Sequence, residues 1–425
     1  MKHSERGQAL TILLRLFQKQ QSLTQSLQEP SLSPFTKTLC FGFARHYYRL
    51  AAIADLMVEK RPKELSIWIG ILLGIFQISV LKLPDYAVVQ ETVALLPTKQ
   101  SWAKGFVNAI LRRFCREQDS ILEQLAANPD FMTMHPPWLV KKIQTDWPHA
   151  WQTIIEANNT HPPMSMRVNL SHLSRETYCT LLDNQKIAYR LIPHTLAGII
   201  VEQACAVQDL PGFAAGDISV QDGAAQLAGP LLELKPGLRV LDACCAPGGK
   251  LSQILELEPN LAACVGLDVD GQRLKRVQAN CHRLGLQPKL YTGDALSPQS
   301  WWDGQTFDRI LVDAPCSATG IIRRHPDIKL LRSLTDIKNI AHIQTQMLSA
   351  LWALLAPEGI LVYATCSIMA DENDKIIANF IANHSDADLD RSIQTWGHAT
   401  GNGLQILPGE HNMDGFFYAK MKKIK

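Results

Sequence analysis

"LRVLDACCAPGGK", residues 238–250, decides how the second half of this 425-residue chain reads. An apolar run (Leu238, Val240, Leu241) leads into Asp242, a pair of cysteines, a proline and two glycines before Lys250. That is the pattern of a short buried strand breaking into a tight loop, with glycines that let the backbone approach a ligand closely. Neither G-x-G-x-x-G nor G-x-x-x-x-G-K-[ST] is present, so a pyrophosphate cradle is not expected. Four further apolar runs follow: "AACVGLDVD" (262–270), "PKLYTGDA" (288–295), "DRILVDAP" (308–315) and "GILVYATCS" (359–367). Helically spaced stretches such as "GQRLKRVQANCHRLG" and "IAHIQTQMLSALWALL" lie between them. Regular alternation of this kind predicts a Rossmann-like, doubly wound α/β sheet from about residue 220 onward. Its ligand crevice lies at the carboxyl ends of the strands.

The residues at those ends therefore carry the chemistry. Asp268 ends the second strand, where a carboxylate can hold both hydroxyls of a ribose. Asp294 ends the third and is placed to accept from an exocyclic amine. With Asp313 at the end of the fourth, these make three acids on consecutive strands behind a glycine loop, which points to a nucleoside cofactor. Acids around a ligand also suit a positive charge, and S-adenosyl-L-methionine carries a sulfonium. The fourth strand ends in Asp313, with Cys316 three residues on, and the fifth ends at Cys366. A lone cysteine at a strand end is usually a small buried hydrophobe. Two of them, at the carboxyl edge of a cofactor sheet, favour chemistry.

Ahead of this sheet the pattern is different. Up to about residue 130 the apolar spacing is helical and strand signals are absent, which predicts an all-α bundle over 1–132. "MSMRVNL", "RETYCTLLDNQ", "IAYRLIP" and "GIIVE" then predict a small α+β unit over 133–219, leaving 220–425 for the cofactor domain. Residues 1–130 hold 16 Lys/Arg against 11 Asp/Glu, a net of +5, so the remainder of the +2 chain carries −3. The basic residues sit among aromatics in "FGFARHYYRL" and "AKGFVNAILRRFCRE", a pattern open to two readings: solvated helix faces, or a surface for RNA phosphates and bases. The ten cysteines show neither paired spacing nor a zinc pattern, so a reducing, cytoplasmic setting and no metal are expected. The start of the chain lacks the apolar core of a secretory signal, and Leu65–Leu83 is too interrupted by polar residues to suggest a membrane span.

"DACCAPGGK", "DAPCS" and "TCS" resemble the motifs of the RNA cytosine-C5 methyltransferases that use S-adenosyl-L-methionine. The resemblance extends through "RVN" (167–169), "IIRRHPDIKLLR" (321–332) and "DGFFYAKMKK" (414–423). The last two, with the helical bundle, are similar to the branch of that family acting on 16S rRNA. The bundle itself resembles the antitermination factor NusB through "ILLGIFQISVLKLPDYAVVQETVALL" and "KGFVNAILRRF". Two departures are visible, Cys245 where alanine is usual and Leu330 where tryptophan is common, and both concern packing rather than chemistry.

The resemblance implies a cofactor site at Cys244, Cys245, Ala246, Pro247, Gly248, Gly249 and Lys250, with Asp268, Asp294 and Asp313. It implies that Cys366 is the nucleophile and Cys316 the second cysteine. Carbon 5 of cytosine is a weak nucleophile until a thiolate adds to carbon 6, a role that suits cysteine. Asp313 is placed to hydrogen-bond the base edge, and Cys316 to help release the carbon 5 proton. The target base must be unstacked, so single-stranded RNA or a flipped nucleotide is the expected partner of a monomeric enzyme. Arg323 and Arg324, after Cys316, either meet its phosphate or form a solvated turn. Rival readings are a relative acting on tRNA or another rRNA site, and an RNA-binding factor with a silent catalytic domain.

Overall fold

The computed structural model describes residues 4–29, 31–392 and 395–424. The chain forms two compact units, one of residues 1–161 with 322–333, the other of residues 162–321 with 334–425.

The first unit is all-helical. Its main helices are α1 (Glu5–Lys19), α2 (Pro34–Met57), α3 (Leu65–Ser79), α4 (Asp85–Ala94), α5 (Lys104–Gln124), α6 (Pro137–Asp146) and α7 (Trp151–Asn159). Ser4 and Ser33 cap α1 and α2 by accepting from the N–H groups of Gly7 and Thr36, satisfying donors the first turn leaves open. Every residue of α3 from Ile67 to Ile78 is buried, as expected of a helix apolar on all sides. No helix among the described residues is long and apolar enough to cross a membrane.

Residues 322–333 fold onto this bundle, although in the sequence they come between Phe307–Asp313 and Leu355–Thr365, two strands of the other unit. Leu330 and Leu331 pack against the helical core, and the Leu23 N–H donates to Asp327 at 2.9 Å. Lys329 is 1% exposed, and its Nζ donates to the carbonyls of Arg45 (2.8 Å) and Met134 (2.9 Å) and to Asn159 Oδ1 (3.0 Å). Three acceptors match the three donors of an ammonium group, although burial and then the charges of Arg45 and Arg49 pull the Lys329 pKa well below the ordinary lysine range. Lys329→Ala would leave those acceptors buried without a donor. The expected result is a loss of about 2–5 kcal/mol from the bundle's unfolding free energy in a denaturant titration. A loss under about 0.5 kcal/mol would mean that water replaces the ammonium without cost.

The basic clusters divide in a way their sequence leaves open. Arg45 is buried and donates to the carbonyls of Thr160 and Arg323, while Arg49 donates to the Phe131 carbonyl at 3.1 Å. Arg45 thus spends its donors inside the bundle, and the half-buried Arg49 spends one of its own on a main-chain carbonyl. Arg323 is likewise 3% exposed, which removes it from contact with RNA. Lys104, Arg112, Arg113 and Arg116 on α5 stay exposed.

The second unit begins with a four-stranded antiparallel sheet, order β2-β3-β1-β4: β1 (Met164–Val168), β2 (Tyr189–Leu191), β3 (Gly198–Val201) and β4 (Ile218–Val220). Helix α8 (Arg175–Asn184) lies between β1 and β2 in the chain. The cofactor-type sheet follows, with β5 (Arg239–Ala243), β6 (Ala263–Asp268), β7 (Lys289–Thr292), β8 (Phe307–Asp313) and β9 (Leu355–Thr365). All five predicted strands are present and parallel, in spatial order β7-β6-β5-β8-β9. The order reverses between β5 and β8, which is where such sheets open a crevice. Helices α9 (Gly249–Leu257), α10 (Gly271–Arg283), α11 (Leu334–Trp352) and α12 (Asp374–Asn383) connect the strands.

An antiparallel flank extends the sheet beyond β9. It comprises β10 (Ala387–Leu389), β11 (His398–Ala399), β12 (Leu404–Ile406) and β13 (Phe416–Lys423), making nine strands among the described residues. "DGFFYAKMKK" thus becomes β13, paired with β9 over Phe417–Lys422, with Phe416, Phe417, Tyr418, Ala419 and Met421 buried.

Candidate active site

The loop after β5 is shaped by its backbone. Gly248 has φ +101°, and a Cβ there would meet Val277 Cγ1 at 3.1 Å, so glycine serves both the turn and the close approach. Cys245 N–H donates to the Leu267 carbonyl at 2.8 Å, tying the loop to the end of β6. Cys244, half-buried, takes a left-handed φ of +71°, and its Sγ lies 3.8 Å from Met347 Sδ. Burial pushes both thiols well above the ordinary range, so neither is a ready nucleophile.

Arg167, from "RVN", anchors the helix that this loop starts. It is 1% exposed and pairs bidentately with Glu256 at 2.9 and 2.7 Å. It also donates to the Ser252 hydroxyl (2.9 Å), the Gly249 carbonyl (2.7 Å) and Gln221. Gly249, Ser252 and Glu256 share one face of α9, so a single guanidinium from β1 fixes the helix in place.

The acids lie along the crevice. Asp268 is 3% exposed, accepts from the N–H groups of Ala246 (3.2 Å) and Asp270 (3.0 Å), and lies 3.4 Å from Arg273. Asp294 is exposed beyond β7, one oxygen accepting from the Leu296 N–H. Asp313 ends β8 and pairs with Lys250 at 2.7 Å, while the Lys250 ammonium lies 4.9 Å from the Phe416 ring centre. Burial works against the Lys250 charge, but Asp313 and its hydrogen bond, helped by Cys366 and Asp242, outweigh it and raise the ammonium pKa.

Asp242 is not among the residues that the sequence singles out for the site. It is fully buried, and neither carboxylate oxygen has a hydrogen-bond partner. Burial first, then Asp313, push its carboxyl well above the usual range, with Lys250 opposing and Asp268 adding. A buried carboxylate with two unmet acceptors is costly unless a donor reaches it. Its position inside the glycine-loop motif is the signal that could have found it. With Asp242, Asp268 and the open backbone at Gly248, the crevice fits a cationic nucleoside such as S-adenosyl-L-methionine. Among the described residues, no group of three or more His, Cys, Asp or Glu is placed to hold a metal ion.

The two cysteines meet. Cys316 Sγ and Cys366 Sγ are 3.3 Å apart, just past the carboxyl ends of the neighbouring strands β8 and β9. The Gly320 N–H donates to the Cys366 carbonyl at 2.9 Å. A Cβ on Gly320 would meet the Gly415 carbonyl oxygen at 2.2 Å, so the turn after Cys316 needs glycine to close on its neighbour. The hydrogen bond to Cys366 is the largest cause holding the Cys316 thiol far above its ordinary pKa, followed by burial and the charges of Cys366 and Glu372.

Fold and site together define a Rossmann-like methyltransferase preceded by a helical bundle. Residues 230–422 match the family model "16S rRNA methyltransferase RsmB/F", 135–208 its ferredoxin-like domain and 3–116 the NusB family. The ribosomal RNA small subunit methyltransferase B of Pseudomonas syringae is 45% identical over 397 residues, covering 92% of this chain and 89% of that protein. The protein of the same name from Vibrio vulnificus is 42% identical, covering 98% and 99%. Among solved structures, a methyltransferase homolog from Pyrococcus horikoshii superposes with TM-score 0.62 at 27% identity, covering 69% of this chain and 97% of its own. PH0851 shares the fold along 98% of this chain and 97% of its own, with TM-score 0.78 at 21% identity. The chain belongs to the ribosomal RNA small subunit methyltransferase B family.

Asp268→Asn keeps an acceptor for the loop but removes one of two carboxylate oxygens. It is expected to weaken S-adenosyl-L-methionine binding by about 1–3 kcal/mol in calorimetry. Unchanged affinity would overturn the expectation that Asp268 holds a ribose.

Proposed function

We propose that this chain is a 16S rRNA (cytosine-C5)-methyltransferase that works through a covalent adduct between Cys366 and carbon 6 of cytosine. The observation that carries the reading is the pair of sulfurs 3.3 Å apart at the crevice, beside the Lys250–Asp313 pair. The names of its relatives support ribosomal RNA as the substrate. S-adenosyl-L-methionine, held by Cys244–Lys250, Asp268, Asp294 and Asp313, supplies an electrophilic methyl group on a sulfonium.

The chain's own residues do the rest. Cys366 adds as a thiolate, forming the C6–S bond and pushing the C5–C6 π pair toward carbon 5, which can then accept a methyl group. Asp313, steadied by Lys250, hydrogen-bonds the base edge where charge develops. Once Cys366 is a thioether, it no longer holds a charge against Cys316, and the hydrogen bond between the sulfurs is lost. The Cys316 proton can then leave to solvent. The resulting thiolate takes the proton from carbon 5, the C6–S bond breaks, and Cys366 departs as the thiolate it began as. Cys316 thus becomes a base only after addition.

In this reading residues 1–132 and 133–219 bind and orient RNA, and 220–425 carry out catalysis, on a single-stranded or flipped cytidine. The enzyme acts as a monomer in the cytoplasm. The test is to incubate the purified protein with 16S rRNA and methyl-labelled cofactor, then digest the RNA and identify the labelled nucleoside by mass spectrometry. 5-Methylcytidine is expected. Label on N4, a ribose or another base would overturn the reading.

A further inference from the structure

A fully buried side chain lies behind the two cysteines. Ser317 follows Cys316, Ser367 follows Cys366, and both serines are 0% exposed. Their hydroxyls converge on one carboxylate, that of Glu372, which is also 0% exposed. The Ser317 N–H donates to Oε1 at 2.6 Å and its hydroxyl to Oε2 at 2.5 Å, while the Ser367 hydroxyl donates to the same Oε2. Thr319 Oγ1 lies 3.2 Å from the Ser317 hydroxyl and 3.1 Å from that of Ser367. Glu372 is itself held, because the Tyr363 hydroxyl donates to its main-chain carbonyl at 2.8 Å.

We propose that Glu372 is the positioning residue of the cysteine pair: its carboxylate ties the loops after β8 and β9 together through Ser317 and Ser367, and so sets the contact between Cys316 and Cys366. Each serine is one peptide bond from its cysteine, so a shift at the serine moves the sulfur. A carboxylate accepts at both oxygens, whereas an amide offers one acceptor and two donors. Three donors meeting on one group suit an acid, to which hydrogen bonds are short and strong, while an amide can keep the same tie only by turning its NH2 toward the serine hydroxyls, which then accept. The Glu372 charge also adds to the causes that keep the Cys316 thiol protonated, behind those from Cys366 and from burial. The catalytic consequence rests on the cysteine mechanism proposed above; the geometric claim does not.

The test uses the full-length protein and three variants: Glu372→Ala, Glu372→Gln, and Ser317→Ala with Ser367→Ala. Diamide, an azo oxidant, takes up two electrons and two protons as it joins Cys316 to Cys366, and the linked peptides are counted by mass spectrometry. Glu372→Ala is expected to slow this capture about tenfold or more. It should also lower kcat about 100-fold, with KM for RNA and cofactor affinity within about threefold of the parent. Glu372→Gln retains an acceptor for the Ser317 N–H and can donate to the serine hydroxyls, so it should restore capture to within about threefold. Capture at the parent rate in Glu372→Ala would overturn the proposal. So would a kcat loss matched by an equal loss of cofactor affinity, or a glutamine variant no better than alanine. If Glu372→Ala does not melt cooperatively, the double serine variant takes its place in both measurements. Slow capture there supports the tie, and capture at the parent rate overturns it. A parent enzyme that makes no 5-methylcytidine would overturn the proposed function, while the capture rates would still decide the role of Glu372.

Discussion

Cys366→Ala is expected to lower methyl transfer to RNA by on the order of 10,000-fold or more. Carbon 5 of cytosine becomes nucleophilic only after addition at carbon 6, and alanine has nothing to add. The loss should not come from unfolding. Cys366 is half-buried, and removing its sulfur should cost at most about 1–2 kcal/mol of stability. Cofactor binding should therefore stay near the parent value, and no RNA adduct should survive denaturing electrophoresis. Single-turnover transfer of a labelled methyl group measures the loss directly. A variant within about tenfold of the parent would show that carbon 5 is methylated without a covalent intermediate.

Cys316→Ala is expected to behave in the opposite way. Addition and methyl transfer should proceed, but the carbon 5 proton would lack its acceptor, slowing release by about 100-fold or more. The protein should then accumulate on RNA as a covalent complex that requires S-adenosyl-L-methionine and withstands denaturant. The 3.3 Å contact makes this a demanding test, because either sulfur is near enough to the other's position to exchange roles. An adduct with Cys366→Ala and none with Cys316→Ala would assign the nucleophile to β8. No adduct with either variant, and only mild destabilisation in both, would return the pair to ordinary buried cysteines.

What is legible in the sequence follows from what is local in it. The strands β5 to β9 can be predicted because short apolar runs punctuated by glycine and proline encode a buried parallel strand. Asp268, Asp313, Cys316 and Cys366 stand out because strand ends in such a sheet converge on one crevice. β13 is the counterexample. "DGFFYAKMKK" is conspicuous for its resemblance but does not read as a strand, because its identity as one depends on pairing with β9, about fifty residues earlier in the chain. The partners of Arg167 are hidden for the same reason, since Glu256 lies 89 residues away. Glu372 escapes notice although it lies only six residues beyond Cys366, because an exposed helix cap and a buried tie look alike until Ser317 is brought beside it. The basic cluster around Arg45 stays open in the sequence for a related reason: charge composition cannot distinguish an arginine facing solvent from one donating to carbonyls inside a bundle.

The peptide that runs from Ile322 to Ser333 has a consequence for inheritance. Because it completes the helical unit from within the catalytic sequence, the chain passes between its two compact units three times, at 161/162, 321/322 and 333/334. A gene encoding such a chain cannot be divided by one cut into two self-sufficient products. The front piece would lack the lysine that occupies its interior, and the rear piece would carry twelve residues with nothing to fold against. Recombination that exchanged either piece with a distant relative would have to preserve both sides of that fit. In this chain, exchange of the bundle or of the catalytic sheet would therefore have to carry residues 322–333 with the helical piece.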